Sequence, residues 1–251
     1  SGMAEDLLDT IGQLFGPIRG GLAYAVIFVG ALLAATTGVV AASVISMGLI
    51  SLPIMLRYGY DKRLASGVIA ASGTLAQIIP PSLVLIVMAD QLGKSVGDMY
   101  AGAFLPSIIL SMLYVGYVVI VSFVKPHWVP ALPPEARTLH GVKLALRVVT
   151  TLLPPLMLIF LVLGTIFLGI ATPTEGGAMG ATGALLMAIV RKRMTLPLLK
   201  QAMESTAKLT TFVVFILIGA RVFSLTFYGV DGHLWVEHLL VNLPGGTIGF
   251  L

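Results

Sequence analysis

Four stretches of this chain carry no acidic or basic side chain: residues 20–56, 64–89, 99–124 and 148–174. Each exceeds the ~18 residues at which an apolar run reads as a membrane span. In lipid every backbone amide and carbonyl must be satisfied internally, so such runs are helices or strands of a closed barrel. No period-2 alternation supports a barrel. A soluble domain carries about 25% charged residues; here the figure is 10%, with 57% hydrophobic residues and a mean hydropathy of +1.01. The fold class is therefore an all-α polytopic membrane protein. With no cysteine, disulfides and thiolate metal sites are excluded.

The first run is too long for one helix. Its arms, 20–35 and 39–56, flank Thr36-Thr37-Gly38 and reach roughly 24–27 Å at 1.5 Å per residue, short of a ~30 Å hydrocarbon core. A re-entrant helical hairpin with a small polar tip is expected over 20–56, and two short spans would return the chain to the same side. Before it, residues 1–19 form an amphipathic interfacial helix, with Glu5, Asp6 and Asp9 set against Leu7, Leu8 and Ile11. A discontinuous helix follows at 61–92, a span at 98–124, and a linker rich in proline and charge at 125–141. Three further spans are expected over 142–228, at 148–170 (kinked at Pro154-Pro155), 173–190 and 209–227, with an amphipathic piece at 195–208. Counting crossings from the hairpin mouth, only Lys94 and Arg221 of the 15 basic residues fall away from one side. By the positive-inside rule that side is cytoplasmic, with 57–63, 125–147 and 191–208 on it. The basic residues thus mark topology, and no nucleic-acid partner is implied.

"SGMAEDLLDTIGQLFGPIRGGLA" near the start resembles "YGVDGHLWVEHLLVNLPGGTIG" near the end. Gly2 aligns with Gly229, Leu7-Leu8 with Leu234-Trp235, and Gly20-Gly21 with Gly245-Gly246. An odd number of crossings separates the copies, so an inverted repeat is expected, with residues 229–251 opening its second half.

Chemistry concentrates where the backbone is interrupted. "ASGTLAQIIPPS" places Ser72, Gly73 and Thr74 before Pro80 and Pro81. Prolines remove amide donors and clash with the preceding turn, leaving carbonyls without intrahelical partners. Together with the Ser72 and Thr74 hydroxyls they form a neutral oxygen cluster that suits a monovalent cation such as Na⁺. A second half-helix starting near Ser82 directs its amides to the same level, where an anionic group is favoured. Thr36, Thr37, Gly38, Ser72, Gly73 and Thr74 are the ion-site candidates, and Thr37, Pro80, Pro81 and Ser82 the substrate-facing ones. The alternative is a plain proline kink whose hydroxyls bond back to the helix. "ATPTE" reads as a helix start, with Thr172 as N-cap, Pro173 first and Glu175 in a capping box. Asp90 and Asp98 read as solvated turn residues, and His233 and His238 as interfacial. No nucleophile–base pair, transition-metal motif or phosphate loop is present, so neither an enzyme nor a cofactor other than a coupling Na⁺ is expected.

"GGLAYAVIFVGALLAATTGVVAAS", "LPIMLRYGYDKRLASGVIAASGTLAQIIPPS", "AGAFLPS" and "GIATPTEGGA" resemble the large permease subunit of TRAP transporters, the tripartite ATP-independent periplasmic class (DctM-like). The resemblance covers nearly the whole chain. It implies an elevator-type secondary transporter of the bacterial inner membrane that imports small organic anions, usually carboxylates, driven by sodium. A small TRAP membrane subunit and a soluble periplasmic solute-binding protein are the implied partners. Carried over by position, the first hairpin tip falls on Thr36, Thr37 and Gly38, and the first broken helix on Ser72, Gly73, Thr74, Pro80 and Pro81. Many members carry Ser-Gly-Ser-Ser at the tip, where this chain has Ala-Thr-Thr-Gly, and glycine where it has Ala76. Family members are longer, with a second hairpin and broken helix, so the chain is expected to be a fragment lacking both ends. Two other readings stay open: a stand-alone Na⁺-coupled carboxylate symporter, and a non-transporting membrane scaffold subunit.

Overall fold

The computed structural model describes residues 3–137 and 139–241, which fall into two compact units divided between Arg193 and Met194. Among the described residues every regular element is helical. In the first unit α1 (Met3–Phe15) precedes a hairpin of α2 (Gly21–Thr37) and α3 (Val40–Arg57). Only Gly38 and Val39 join the arms, because Gly38 takes the left-handed conformation (φ 61°) that ends a helix and Val39 is extended. Then come α4 (Lys62–Thr74), a 3₁₀ turn at Leu75–Gln77, α5 (Leu83–Leu92) and the 29-residue α6 (Val96–Val124). The expected hairpin and discontinuous helix are thus two arms and two half-helices in the structure.

The core lies where α1, α2 and α4 meet. Leu7, Leu8 and Ile11 of α1 are buried against Ala23, Val26 and Val29 of α2, with Ala65, Val68 and Ile69 of α4 completing the cluster. The apolar face of α1, read from sequence as interfacial, is thereby spent inside the protein. Its acidic face reaches two other helices, since Asp6 pairs with Arg147 at 3.8 Å and Arg191 at 3.5 Å.

The 125–141 segment is not a loose linker. Val129 and Leu132 are buried in the core cluster, and the Lys125 ammonium stands 3.9 Å above the Trp128 ring. Backbone bonds sew it down: Gly20 N–H donates to the Val129 carbonyl (3.0 Å), Asp61 N–H to Trp128 (3.1 Å) and Leu132 N–H to Gly16 (2.9 Å). Tyr60 adds a side-chain tie, its hydroxyl accepting from Leu22 N–H at 3.1 Å at the start of α2. One end of the unit therefore gathers the α1–α2 turn, the α3–α4 turn and this segment. Arg19, Arg57, Lys62, Arg63 and Lys125, which the charge count put on one side, belong to these same turns.

Next, α7 (Gly141–Ile159) includes Pro154 and Pro155 and continues as a π-helical turn, Phe160–Gly164, into α8 (Thr165–Phe167). The irregularity thus sits five residues beyond the second proline, where the turn widens. α9 (Pro173–Val190) opens with the expected capping box: Thr172 N–H donates to Glu175 Oε2 at 2.7 Å, and Glu175 N–H to Thr172 Oγ1 at 3.4 Å.

The second unit holds α10 (Leu196–Gly229) and α11 (Gly232–Val241). Sequence reading divides 195–208 from a span at 209–227; the structure has one uninterrupted 34-residue helix. Polar residues such as Lys200, Glu204 and Lys208 leave the hydrogen-bond ladder unbroken, and neither glycine nor proline falls between them and the apolar part. Gly2, Gly245 and Gly246, on which the repeat alignment partly rests, lie outside the described residues. By length and composition, four helical stretches among the described residues can cross a membrane: Val40–Arg57, Val96–Val124, Gly141–Phe167 and Leu196–Gly229.

Candidate functional site

The two backbone interruptions singled out in the sequence meet. An ideal Cβ placed on Gly38 would stand 2.8 Å from the Pro81 carbonyl oxygen, so the hairpin tip is seated on the break with room for hydrogen only. The tip is held by Gly38 N–H donating to the Ala34 carbonyl (3.1 Å) and Thr36 Oγ1 donating to Leu33 (2.9 Å). The Thr37 side chain lies outside the described residues. Under the tip Ala34, Leu75 and Ala76 are fully buried, with Val40 and Ile79 against them.

In the break itself α4 tightens into its 3₁₀ turn, and Ile78 and Ile79 both donate to the Leu75 carbonyl, at 3.0 and 2.8 Å. The Pro80–Pro81 peptide is cis. Ser82 then caps α5: its Oγ accepts from Leu85 N–H at 3.5 Å and donates to the Gln77 carbonyl at 2.6 Å. Carbonyls before Pro80 do lose their helical partners, as expected, but two of them are re-satisfied by side chains. Gln77 is served by Ser82, and Ile78 by Ser107 of α6 at 2.9 Å.

The remaining candidates lie deeper. Ser72 is fully buried, its Oγ donating to the Val68 carbonyl at 2.6 Å, while Thr74 is exposed and bonds back to Ala71 at 2.7 Å. Those back-bonds are the ones the plain-kink alternative calls for, although each hydroxyl oxygen keeps lone pairs. A Cβ on Gly30 would meet the Ser72 Cβ at 2.7 Å, and one on Gly73 would collide with Val44 Cγ2 and lie 3.0 Å from the Val44 backbone. Gly30 precedes Gly38 by two turns, about 12 Å. The structure therefore brings Gly38 to Pro81 and Leu83, and sets Ser72 against Gly30 in the middle of α2 and Gly73 against Val44 near the start of α3.

Between residues 20 and 56 and between 64 and 89 there is no Asp, Glu, Lys or Arg, so the site offers only neutral oxygens and amide ends. Among the described residues no group of three or more His, Cys, Asp or Glu side chains could hold a metal ion. Neutral oxygens and half-helix ends are the group types that serve monovalent cations and carboxylates in secondary transporters. Sequence reasoning missed Ser107 and Gly30. Neither lies near an interruption in the chain, and only helix-on-helix packing brings Ser107 to the break and Gly30 to Ser72.

The whole chain, residues 1–251, matches the family model described as "Tripartite ATP-independent periplasmic transporter, DctM component". It is similar to the C4-dicarboxylate TRAP transporter large permease protein DctM of Pseudomonas aeruginosa, 32% identical over 89% of this chain and 51% of that protein. The protein of the same name from Vibrio cholerae is 30% identical over 88% of this chain and 52% of that protein. The ectoine TRAP transporter large permease protein TeaC of Halomonas elongata is 29% identical over 86% and 49%. The chain spans about half the length of the curated relatives it matches.

Proposed function

Because this chain belongs to the DctM component family of the tripartite ATP-independent periplasmic transporters, we propose that it carries the first ion- and substrate-facing half of a sodium-coupled importer of small organic anions, carboxylates foremost. As a family member it is a multi-pass component of a transporter in the inner membrane, not an enzyme. In this reading α2 and α3 form a re-entrant hairpin with its mouth at the cytoplasmic face, and the tip and break meet at membrane depth. The full assembly adds a small membrane subunit and a periplasmic binding protein that delivers the substrate, and it moves the site by an elevator-like displacement.

The observation that carries this reading is the seating of Gly38 on the Pro80–Ser82 break in a region without a charged side chain. Interrupted backbone at membrane depth is tolerated where it is buried in protein or lines a cavity. Unwound carbonyls paired with half-helix ends recur as ion and carboxylate sites in secondary transporters. A panel of dicarboxylates and other organic anions is tested for uptake into proteoliposomes holding the complete permease, its small subunit and its binding protein. Uptake should require a sodium gradient and the binding protein. Substituting Ser72 and Thr74 together by alanine should raise the half-saturating sodium concentration at least tenfold. Undiminished uptake without the binding protein, or unaltered sodium dependence in the double variant, refutes the respective part.

A further inference from the structure

One side chain holds the break from outside its own helix. Ser107, in the middle of α6, is only 3% exposed, and its Oγ lies 2.9 Å from the Ile78 carbonyl oxygen and 2.6 Å from that of Ala103. A serine hydroxyl has a single proton, so the two carbonyls compete for it. Ala103 depends on it least, because its carbonyl also receives the ordinary helical bond from the Ser107 amide. Ile78 has no such reserve. The residue four positions on, Ser82, is extended (φ −111°, ψ 133°), and the one before that is proline. Around the contact a groove of about 290 Å³ is lined by apolar side chains including Phe28, Ile79, Phe104, Ile108 and Met112. The groove's other hydroxyl, Ser111, donates instead to the Ser107 carbonyl at 2.8 Å.

We propose that Ser107 is a positioning residue for the ion site. It fixes the Ile78 carbonyl, and with it the Pro80–Ser82 segment that supports Gly38, at a set distance from α6. The competition makes this hold reversible. Rotation of the hydroxyl toward Ala103 releases the break while the serine stays bonded, so the release costs the Ile78 hydrogen bond alone. The link to the ion rests on the sodium-coupled reading above; the link to the break's geometry does not.

Two measurements on the complete permease separate these parts, using Ser107→Ala and the hydroxyl-keeping Ser107→Thr. In sodium-driven uptake, Ser107→Ala should raise half-saturating sodium about tenfold, the scale of one lost buried hydrogen bond. Maximal uptake should stay within about twofold, and Ser107→Thr should restore the wild-type value to within about twofold. Equal loss in both variants, or a fall in maximal uptake alone, overturns the positioning role. In amide hydrogen exchange, residues 75–82 should exchange at least about fivefold faster in Ser107→Ala while residues 62–72 stay unchanged. Uniform exchange across both segments overturns it as well. Should Ser107→Ala fail to accumulate, Ser107→Cys, a weak donor of similar size, takes its place with the same expectations. Wild-type uptake that ignores sodium would sink the functional reading, and the exchange result would still decide the role of Ser107.

Discussion

Replacing Gly38 by alanine tests the contact on which the site depends, and the chain supplies its own control. Gly38 and Gly93 both sit in the left-handed region, at φ 61° and 60°, and both close a helix. They differ in what a Cβ would meet: the Pro81 carbonyl oxygen at 2.8 Å for Gly38, nothing within 4 Å for Gly93. The backbone term is common to the two, about 1–2 kcal/mol for an L-residue forced into that conformation. Gly38→Ala adds overlap with a backbone atom that has no side-chain torsion to escape by, about 1–3 kcal/mol on the scale of overpacked cores. Gly38→Ala should therefore cost about 2–5 kcal/mol and Gly93→Ala about 1–2 kcal/mol. Thermal unfolding of the purified complete permease reads the stabilities, and proteoliposome uptake reads the site. Uptake should fall at least tenfold in Gly38→Ala and stay near wild type in Gly93→Ala. Equal shifts in both assays would mean that the tip does not press on the break, and the site as described would be wrong.

Gly73→Ala should destabilise by about 1–3 kcal/mol through its collision with Val44. Pairing it with Val44→Ala should recover part of the loss in unfolding experiments but not all, because the Val44 backbone also lies within 3.0 Å. Tyr60→Phe removes the acceptor for Leu22 N–H and should cost about 1–2 kcal/mol below pH 10. Burial pushes the Tyr60 phenol up to about 12, against a smaller opposing effect of the Leu22 and Ala23 amides. Above pH 10 the unfolded tyrosine ionises first, so the wild type loses stability toward pH 12 while the phenylalanine variant escapes this loss. The gap between them should narrow in that window, and a constant gap from pH 9 to pH 11.5 would contradict the buried phenol. Thr172→Ala should remove the α9 capping box for about 1 kcal/mol, visible as faster amide exchange at residues 174–176 alone.

What could be read from sequence is what the backbone itself dictates. Gly38, Pro80-Pro81, Ser82 and the Thr172–Glu175 box each act on the backbone within five residues of themselves, so the hairpin turn, the break, the restart of the helix and the start of α9 were all legible. Contacts between helices were not. Nothing in the local sequence of α6 marks Ser107 as the partner of Ile78, or Tyr60 as the cap for Leu22. The α1 helix shows the same limit from the other side. Its two-faced pattern says that one face avoids water, and it is silent on whether lipid or protein provides the cover. Pro154-Pro155 marked this span as irregular, and α7 carries both prolines as helix before it widens at Phe160–Gly164. Proline removes donors at a known position, but where the helix takes up the slack depends on its neighbours. For α10 the polar first half disguised a continuous helix, since composition changes along it while backbone bonding does not.

The segment from Lys125 to Leu132 has a practical consequence. A proline-rich, charged stretch between two apolar helices is where an engineer would insert a tag, cut with a protease or permute the chain. Here its carbonyls and amides hold the turns at Gly16, Gly20 and Asp61. Because those bonds belong to the main chain, replacing side chains would leave them standing, whereas adding or removing a single residue would throw all three out of step. Away from the buried Val129 and Leu132, the stretch should therefore accept substitutions and reject insertions and deletions, the behaviour of a seam and not of a spacer.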